Sequence, residues 1–252
     1  MKHKIGITEA GDAGLDRSWA SKLDTVDGAI AITKNAALDF RAIAATNRDK
    51  LIVHITCTGY GGTIVEPYVP PMQEQLSNAL DLVRRGFPMP KMVIRVDPII
   101  PTAKGLATAA KVIEVFMCEG FSRFRVSILD MYPHVQERFR SAGLPIPYSW
   151  APSKEQLAAT DKMLANMKEK WVSLGHPADI LRVESCAEPG LKETIQCGCI
   201  SAYDLELLGL DPSAVDSTGP QRTHCMCYSG KTELLGKKKR CPHRCLYCYW
   251  KN

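Results

Sequence analysis

The sequence predicts an α/β protein, a partial or complete TIM-like (β/α) barrel, and three observations predict it. Short β-rich runs recur at residues 4–8, 28–33, 51–57, 91–96, 123–129 and 180–185. Segments with helical apolar spacing, such as 72–86 and 154–174, lie between them. Polar side chains gather where the runs end, and the carboxyl ends of barrel strands are where such folds place their active sites.

Taken in order, the first run ends in Thr8-Glu9 and the second in Thr33-Lys34-Asn35. The third, Leu51-Ile52-Val53-His54-Ile55, is apolar on both alternating faces but for one histidine, as a parallel strand covered from both sides requires. It runs out through Thr58-Gly59-Tyr60-Gly61. Met92-Val93-Ile94 repeats that pattern and leads to Arg95 and Asp97; the fifth run leads to Ser127 and Asp130, and the sixth through Glu184 to Cys186 and Glu188. Pro-rich stretches at 98–101 and 144–152 read as loops, and 211–240 as irregular structure around metal sites. One domain is expected, with residues 1–210 forming the core and 211–252 a cysteine-rich segment that completes it.

The chain has 252 residues, 45% of them hydrophobic and 23% charged, the composition of a soluble globular protein. No apolar run approaches the ~18 residues a membrane span needs. The N-terminus lacks a signal-peptide pattern, so a cytoplasmic location is expected. Seven of the ten cysteines fall between Cys197 and Cys248, which reads as metal binding in a reducing compartment rather than a disulfide framework. The formal charge is +5, and Lys237, Lys238, Lys239, Arg240 and Arg244 crowd the terminal cysteines. Such a run is either a solvated loop or a site for a polyanion.

Cys241, Cys245 and Cys248, in Cys-Pro-His-Arg-Cys-Leu-Tyr-Cys, are the most informative residues. Three thiolates on a tight loop suit three irons of a 4Fe-4S cube, leaving the fourth iron without a protein ligand. A zinc knuckle is the competing reading, but no histidine has zinc-finger spacing. The spacing resembles that of the radical S-adenosylmethionine (SAM) enzymes, in which the open iron chelates SAM. Tyr247, just before the third cysteine, corresponds to the aromatic that seats the SAM adenine.

Over most of its length the chain also resembles the domain-of-unknown-function 1848 family. The resemblance rests on Thr33-Lys34-Asn35, Thr58-Gly59-Tyr60-Gly61 with Glu66-Pro67, Arg95-Val96-Asp97-Pro98, Ser127-Ile128-Leu129-Asp130, Cys186-Ala187-Glu188, Gly198-Cys199-Ile200, Cys225-Met226-Cys227 and the terminal cysteines. It departs from the family at Thr8-Glu9-Ala10-Gly11-Asp12, which stands in place of an Arg-rich strand end. The resemblance implies a circularly permuted radical SAM core with a C-terminal Fe-S segment. The segment Lys231 to Leu235 then supplies the strand leading into the cluster loop, beside strand 4–8, and Glu9 meets the SAM amino group.

Cys186, Cys199, Cys225 and Cys227 form a second set of four thiolates, read first as ligands of an auxiliary 4Fe-4S cluster, with a structural zinc and free or alternately paired thiols as the other readings and Cys197 as a substitute ligand. Cys57 and Cys118 read as core residues. Arg95, Lys34 and Asp97 are candidates to hold SAM or an anionic substrate, together with Thr33, Asn35, Thr58 and Ser127 from the polar strand ends. Asp97, Asp130 and Glu188 are the candidates for hydrogen bonding or proton transfer during catalysis. Tyr60 stacks on a planar ligand or packs, and His134, His224 and His243 are assigned no role.

The function expected is that of a radical SAM enzyme supplied with electrons by a flavodoxin- or ferredoxin-like donor. A nucleobase or nucleotide in nucleic acid is the leading substrate class, ahead of a small phosphorylated metabolite or a peptide. The rivals from other classes are a non-catalytic Fe-S or zinc protein that binds nucleic acid and an electron-transfer module.

Overall fold

In the computed structural model, which describes residues 2–215, 225–228, 230–236 and 241–250, the chain is α/β and built on a single parallel sheet. Its eight strands are β1 (Ile5–Ile7), β2 (Gly28–Thr33), β3 (Leu51–Thr56), β4 (Met92–Ile99), β5 (Arg123–Ile128), β6 (Arg182–Cys186), β7 (Ile195–Cys197) and β8 (Thr232–Glu233). Their spatial order is β7-β6-β5-β4-β3-β2-β1-β8. Each strand from β1 to β7 therefore lies beside its neighbours in sequence, and β8 returns to pair in parallel with β1. That return places Lys231 to Leu235 where the permuted reading expects it. β7, only three residues long, is a strand the sequence pattern does not announce.

Parallel strands need crossovers, and here α1 (Leu38–Thr46), α2 (Met72–Arg84), α3 (Ala103–Cys118), α4 (Pro133–Ser141) and α5 (Lys154–Ser173) lie between successive strands. α5 begins at a capping box in which Ser153 and Gln156 satisfy each other's backbone amides. One face of the sheet presents Val53, Ile55, Ile94, Val96, Phe124 and Val126 to Phe40, Leu82, Val112, Phe116, Leu164 and Trp171 from these helices. On the other face Ile5, Ile7, Ile30, Ile52 and Val93 pack on Ile200 and on Leu205 of a short helix, α6 (Ala202–Leu207). Both faces are thus covered, and every residue of β3 is buried.

That second face turns ionic at β5 and β6. Arg125 Nη2 lies 2.6 Å from Glu184 Oε2, and Arg123 Nη2 lies 2.6 Å from Asp204 Oδ1, with all four side chains at most 3% exposed. Charges taken so far from water stay only because each meets an opposite charge. Burial opposes ionisation of Asp204, but Arg125 and Arg123 outweigh it and hold its carboxyl below the usual range. Arg125 also donates to the carbonyl of Cys199 at 3.1 Å, tying this buried cluster to the sheet's carboxyl edge.

Two expectations change. Cys57 is buried in the helix-side core, but Cys118, at the last position of α3, is exposed. Residues 98–101 are not all loop, since β4 continues through Pro98 to Ile99 with a register shift between Val96 and Ile99. Among the described residues no helix is long and apolar enough to cross a membrane.

Candidate metal centre at the carboxyl ends of the strands

The strands run out into one cavity of about 670 Å³. Glu9, Thr33, Lys34, Arg95, Asp97, Ser127, Asp130, Glu188 and Tyr247 line it, and so do Cys186, Cys199, Cys225, Cys227, Cys241, Cys245 and Cys248. Asn35 and Thr58 stand apart. The Asn35 amide closes a turn on the Thr33 hydroxyl, and the Thr58 hydroxyl is buried against Glu66 at 2.7 Å. Tyr60 packs with Val65 and Val69 outside the cavity lining.

The terminal cysteine loop is pinned at four places. His243, 2% exposed, has Nε2 2.8 Å from Asp12 Oδ2 and Nδ1 3.1 Å from the Tyr68 carbonyl. Leu246 N–H donates to the Val65 carbonyl at 3.0 Å. The Tyr247 hydroxyl donates to Glu66 and accepts from Lys34 Nζ at 2.7 Å, while Lys34 also reaches Glu66 at 2.9 Å. Arg138 of α4 donates to the carbonyls of Cys248 and Trp250 at 2.6 and 2.7 Å. Arg244 adopts the left-handed region (φ 51°), and the residues on either side of it, His243 and Cys245, both border the cavity.

Asp12 is the hub beneath this loop. Besides His243 it accepts from the Thr33 hydroxyl at 2.6 Å, the Lys34 amide at 2.7 Å and the Gly14 amide at 2.8 Å. Burial pushes its carboxyl up, but His243, Thr33 and Lys34 prevail and hold it below the usual range. Burial likewise works against the Lys34 ammonium, yet Glu66, Cys245 and Asp97 raise it above an ordinary lysine. Burial pushes the Cys245 thiol up to about 12, with Lys34 opposing.

The second set lies across the cavity. Cys186 ends β6, Cys199 follows β7 and Cys227 precedes β8, and their three sulfurs lie within 4.8 Å of one another. Cys186 and Cys199 are 3.9 Å apart, and the Cys199 amide donates to the Cys227 sulfur at 2.8 Å. Ala187 takes the left-handed region (φ 57°), a costly conformation for an alanine, between Cys186 and Glu188, and both of those line the cavity. Gly198 is required by close approach, because a Cβ there would meet the Cys227 backbone at 2.5 Å. The Cys199 thiol is held well below its usual range because Cys186 and Cys227 donate to it, with Arg95 and Arg125 assisting. Cys186, giving its proton toward Cys199, is pushed up to about 12. These three thiols are placed to hold a metal ion or an Fe-S group.

Two cysteines of that region stay outside the trio. Cys225 borders the cavity without joining the three converging sulfurs. Cys197 lies beside Arg125, Glu184 and Asp204, and burial pushes its thiol up to about 12.

Charge around the trio is arranged in pairs. Glu9 meets Lys231 Nζ at 2.5 Å; burial and then Cys199 raise the Glu9 carboxyl above its usual value, with Lys231 opposing. Arg95 pairs with Asp97, which also accepts from the Ser127 hydroxyl. Burial works against the Arg95 charge, and Asp97 outweighs it so that the guanidinium is held more firmly than usual. Arg95 Nε is buried and has no partner among the described residues. Glu188 accepts from the Ile128 amide at 2.8 Å, and the Tyr132 hydroxyl reaches Asp130 at 3.4 Å.

Sequence reasoning leaves Asp12, Glu66, Lys231 and His243 without a role, and the structure makes each a partner of a cavity residue. The signal for His243 was its place inside the cysteine motif; Asp12 had none beyond a polar run after the first strand. Tyr249 and Trp250 also line the cavity, 58% and 38% exposed. His134 stacks on Tyr132. His224 and the basic run Lys237 to Arg240 lie outside the described residues.

Residues 16–250 match a family model described as "Domain of unknown function (DUF1848)". The span begins after the Thr8 to Asp12 segment. No curated protein matches the chain.

Proposed function

The chain belongs to the DUF1848 family, and we propose that it is a radical SAM enzyme whose reaction takes place in the cavity at the carboxyl ends of its strands. The observation that carries this reading is the pinned loop, which holds Cys241, Cys245 and Cys248 at the cavity wall and is anchored to the segments that follow β1, β2 and β3 and to α4. A cube held by those three thiolates would supply the one-electron cleavage of SAM to a 5'-deoxyadenosyl radical.

The residues of this chain do the positioning. Tyr247, fixed by its hydroxyl, offers its ring as a wall for the adenine; Lys34 and Glu66 hold that ring rather than the ligand. Glu9 and Arg95 supply the carboxylate and guanidinium that SAM's amino and carboxylate groups require, each kept in place by an opposite charge. Asp130 and Glu188 face the remaining space, where they exchange hydrogen bonds or a proton with substrate. Electrons come from a flavodoxin- or ferredoxin-like donor, as the cluster chemistry requires. The core is read as a circularly permuted radical SAM fold, supported by the parallel pairing of β8 with β1.

For the substrate we infer a nucleobase or nucleotide. Tyr249 and Trp250 at the rim, together with exposed Tyr68 under the Arg244 guanidinium at 5.5 Å, give a planar base stacking partners.

The test is anaerobic reconstitution with iron and sulfide, addition of dithionite and SAM, and chromatographic detection of 5'-deoxyadenosine. Production of 5'-deoxyadenosine that is lost in Cys245→Ala supports the reading. A reducible cluster that neither binds nor cleaves SAM would move the protein to the non-catalytic class.

A further inference from the structure

The sulfur spacing at the second set discriminates between the two groups its ligands suit. Around one tetrahedral ion with metal–sulfur bonds of about 2.3 Å, neighbouring sulfurs stand about 3.8 Å apart. Cys186 and Cys199 are 3.9 Å apart, and all three sulfurs of the trio lie within 4.8 Å of one another. In a cube each cysteine binds a different iron, so the ligand sulfurs are spread by the cube between them. Cys241, Cys245 and Cys248 border the cavity without converging in this way.

We propose that Cys186, Cys199 and Cys227 bind a single zinc-type ion whose fourth position opens onto the cavity beside Glu9, rather than an auxiliary Fe-S cube.

Three features support this besides spacing. The ligands come from three separate segments, the end of β6, the stretch after β7 and the stretch before β8, held by the Arg125 bond to the Cys199 carbonyl and by the close contact of Gly198 with Cys227, so the geometry is fixed before metal arrives. The Cys199 amide donates to the Cys227 sulfur at 2.8 Å, the outer-shell bond that stabilises a metal-bound thiolate. Three thiolates on a divalent ion leave one negative charge, and Arg95 and Lys231 both act on these sulfurs. Cys225 lies outside the converging sulfurs, and Glu9 lines the same cavity close enough to Cys199 for the two to interact electrostatically. Three protein ligands with one open position is the pattern of a zinc site that binds or activates a ligand, whereas structural zinc sites are closed by four.

This inference does not depend on the cluster assigned to the terminal cysteines. The experiment is metal analysis of the full chain grown with iron and zinc and purified anaerobically, alongside Cys199→Ser, Cys225→Ser and a Cys241→Ala/Cys245→Ala/Cys248→Ala variant. About one zinc per chain is expected in the wild type, whether or not iron is present, and in the triple variant. Zinc is expected to be lost in Cys199→Ser and kept in Cys225→Ser. With cobalt in place of zinc, added imidazole is expected to shift the thiolate-to-metal absorption, which a closed site would not allow. About eight irons without zinc in the wild type, or about four irons with sulfide in the triple variant, overturns the single ion in favour of a cube. Should the triple variant not fold, the wild-type count decides. Loss of zinc in Cys225→Ser, or a cobalt spectrum indifferent to imidazole, overturns the open position. A wild type without zinc overturns the proposal whatever happens to SAM.

Discussion

The Nε2 atom of His243 stands 2.8 Å from Oδ2 of Asp12, across 231 positions of sequence and with both side chains buried. The contact joins the middle of the terminal cysteine motif to the loop that leaves the first strand. Asp12 does the same for Thr33, Lys34 and Gly14, so one carboxylate sets the relative positions of three cavity segments.

Asp12→Ala strands several donors at once, and it is expected to lower unfolding free energy by ~3–5 kcal/mol. Asp12→Asn keeps the acceptor oxygen and costs less. His243→Ala made on top of Asp12→Ala adds little, since the two act as one unit. Chemical denaturation of the wild type, Asp12→Asn, the two single alanine variants and the double variant checks this, and additive losses would show that the pair is not coupled.

At the Lys34, Glu66 and Tyr247 cluster the two obvious substitutions are expected to differ sharply. Tyr247→Phe removes one hydroxyl and leaves Lys34 on Glu66, costing ~1–2 kcal/mol. Lys34→Met leaves the fully buried Glu66 carboxylate without its cation and costs ~3–5 kcal/mol. Under a chelator challenge, iron should leave the Lys34→Met protein first. The reverse order of stability would sink the assignment of Lys34 as the loop's electrostatic anchor.

Gly198→Ala deletes no ligand, yet its new methyl collides with the Cys227 backbone and pushes the trio apart. Cobalt uptake at the trio is expected to weaken about tenfold or more, while Gly236→Ala, whose new methyl meets nothing within 4 Å and whose backbone lies outside the left-handed region, leaves it unchanged. Equal uptake by the two variants would mean that the sulfurs do not depend on this approach.

His54 provides a pH signature. Burial, then Arg125 and Arg95, hold its imidazole well below the ordinary 6.5. The folded protein therefore stays unprotonated there while the unfolded chain takes up a proton, and stability falls as pH drops below 6.5. One such group contributes a slope of up to ~1.4 kcal/mol per pH unit. Urea unfolding at pH 7.5 and pH 5.5 should show a smaller difference in His54→Leu than in the wild type. An unchanged difference would place the proton uptake elsewhere.

What was legible in the sequence follows from how local its cause is. β3 announces itself because every residue from Leu51 to Thr56 is buried, and Glu9, Lys34, Asp97, Asp130 and Glu188 reach one cavity because parallel strands all point the same way, whereas Thr58 and Tyr60 after β3 turn instead to Glu66 and Val65. β7, at three residues, is too short to carry a period. Nothing local tells Cys225 from Cys227, since a Cys-x-Cys pair does not reveal which thiol turns inward. Lys34 and Tyr247 were legible as cavity residues, but their partner Glu66 depends on how the loop after β3 folds back, and Asp12 depends on a contact made from the far end of the chain. Cys118 misleads because an apolar helix still has a solvent-facing last turn.

The pairing of β8 with β1 also makes the two ends of the chain depend on one another. β8 has β1 as its partner, and β1 lies on β2. The cysteine loop rests on Asp12, Lys34 and Glu66, which belong to the segments that follow β1, β2 and β3. The seat of the loop is therefore made by the opposite part of the chain, and damage to that edge of the sheet would empty the loop of metal with every one of its cysteines intact.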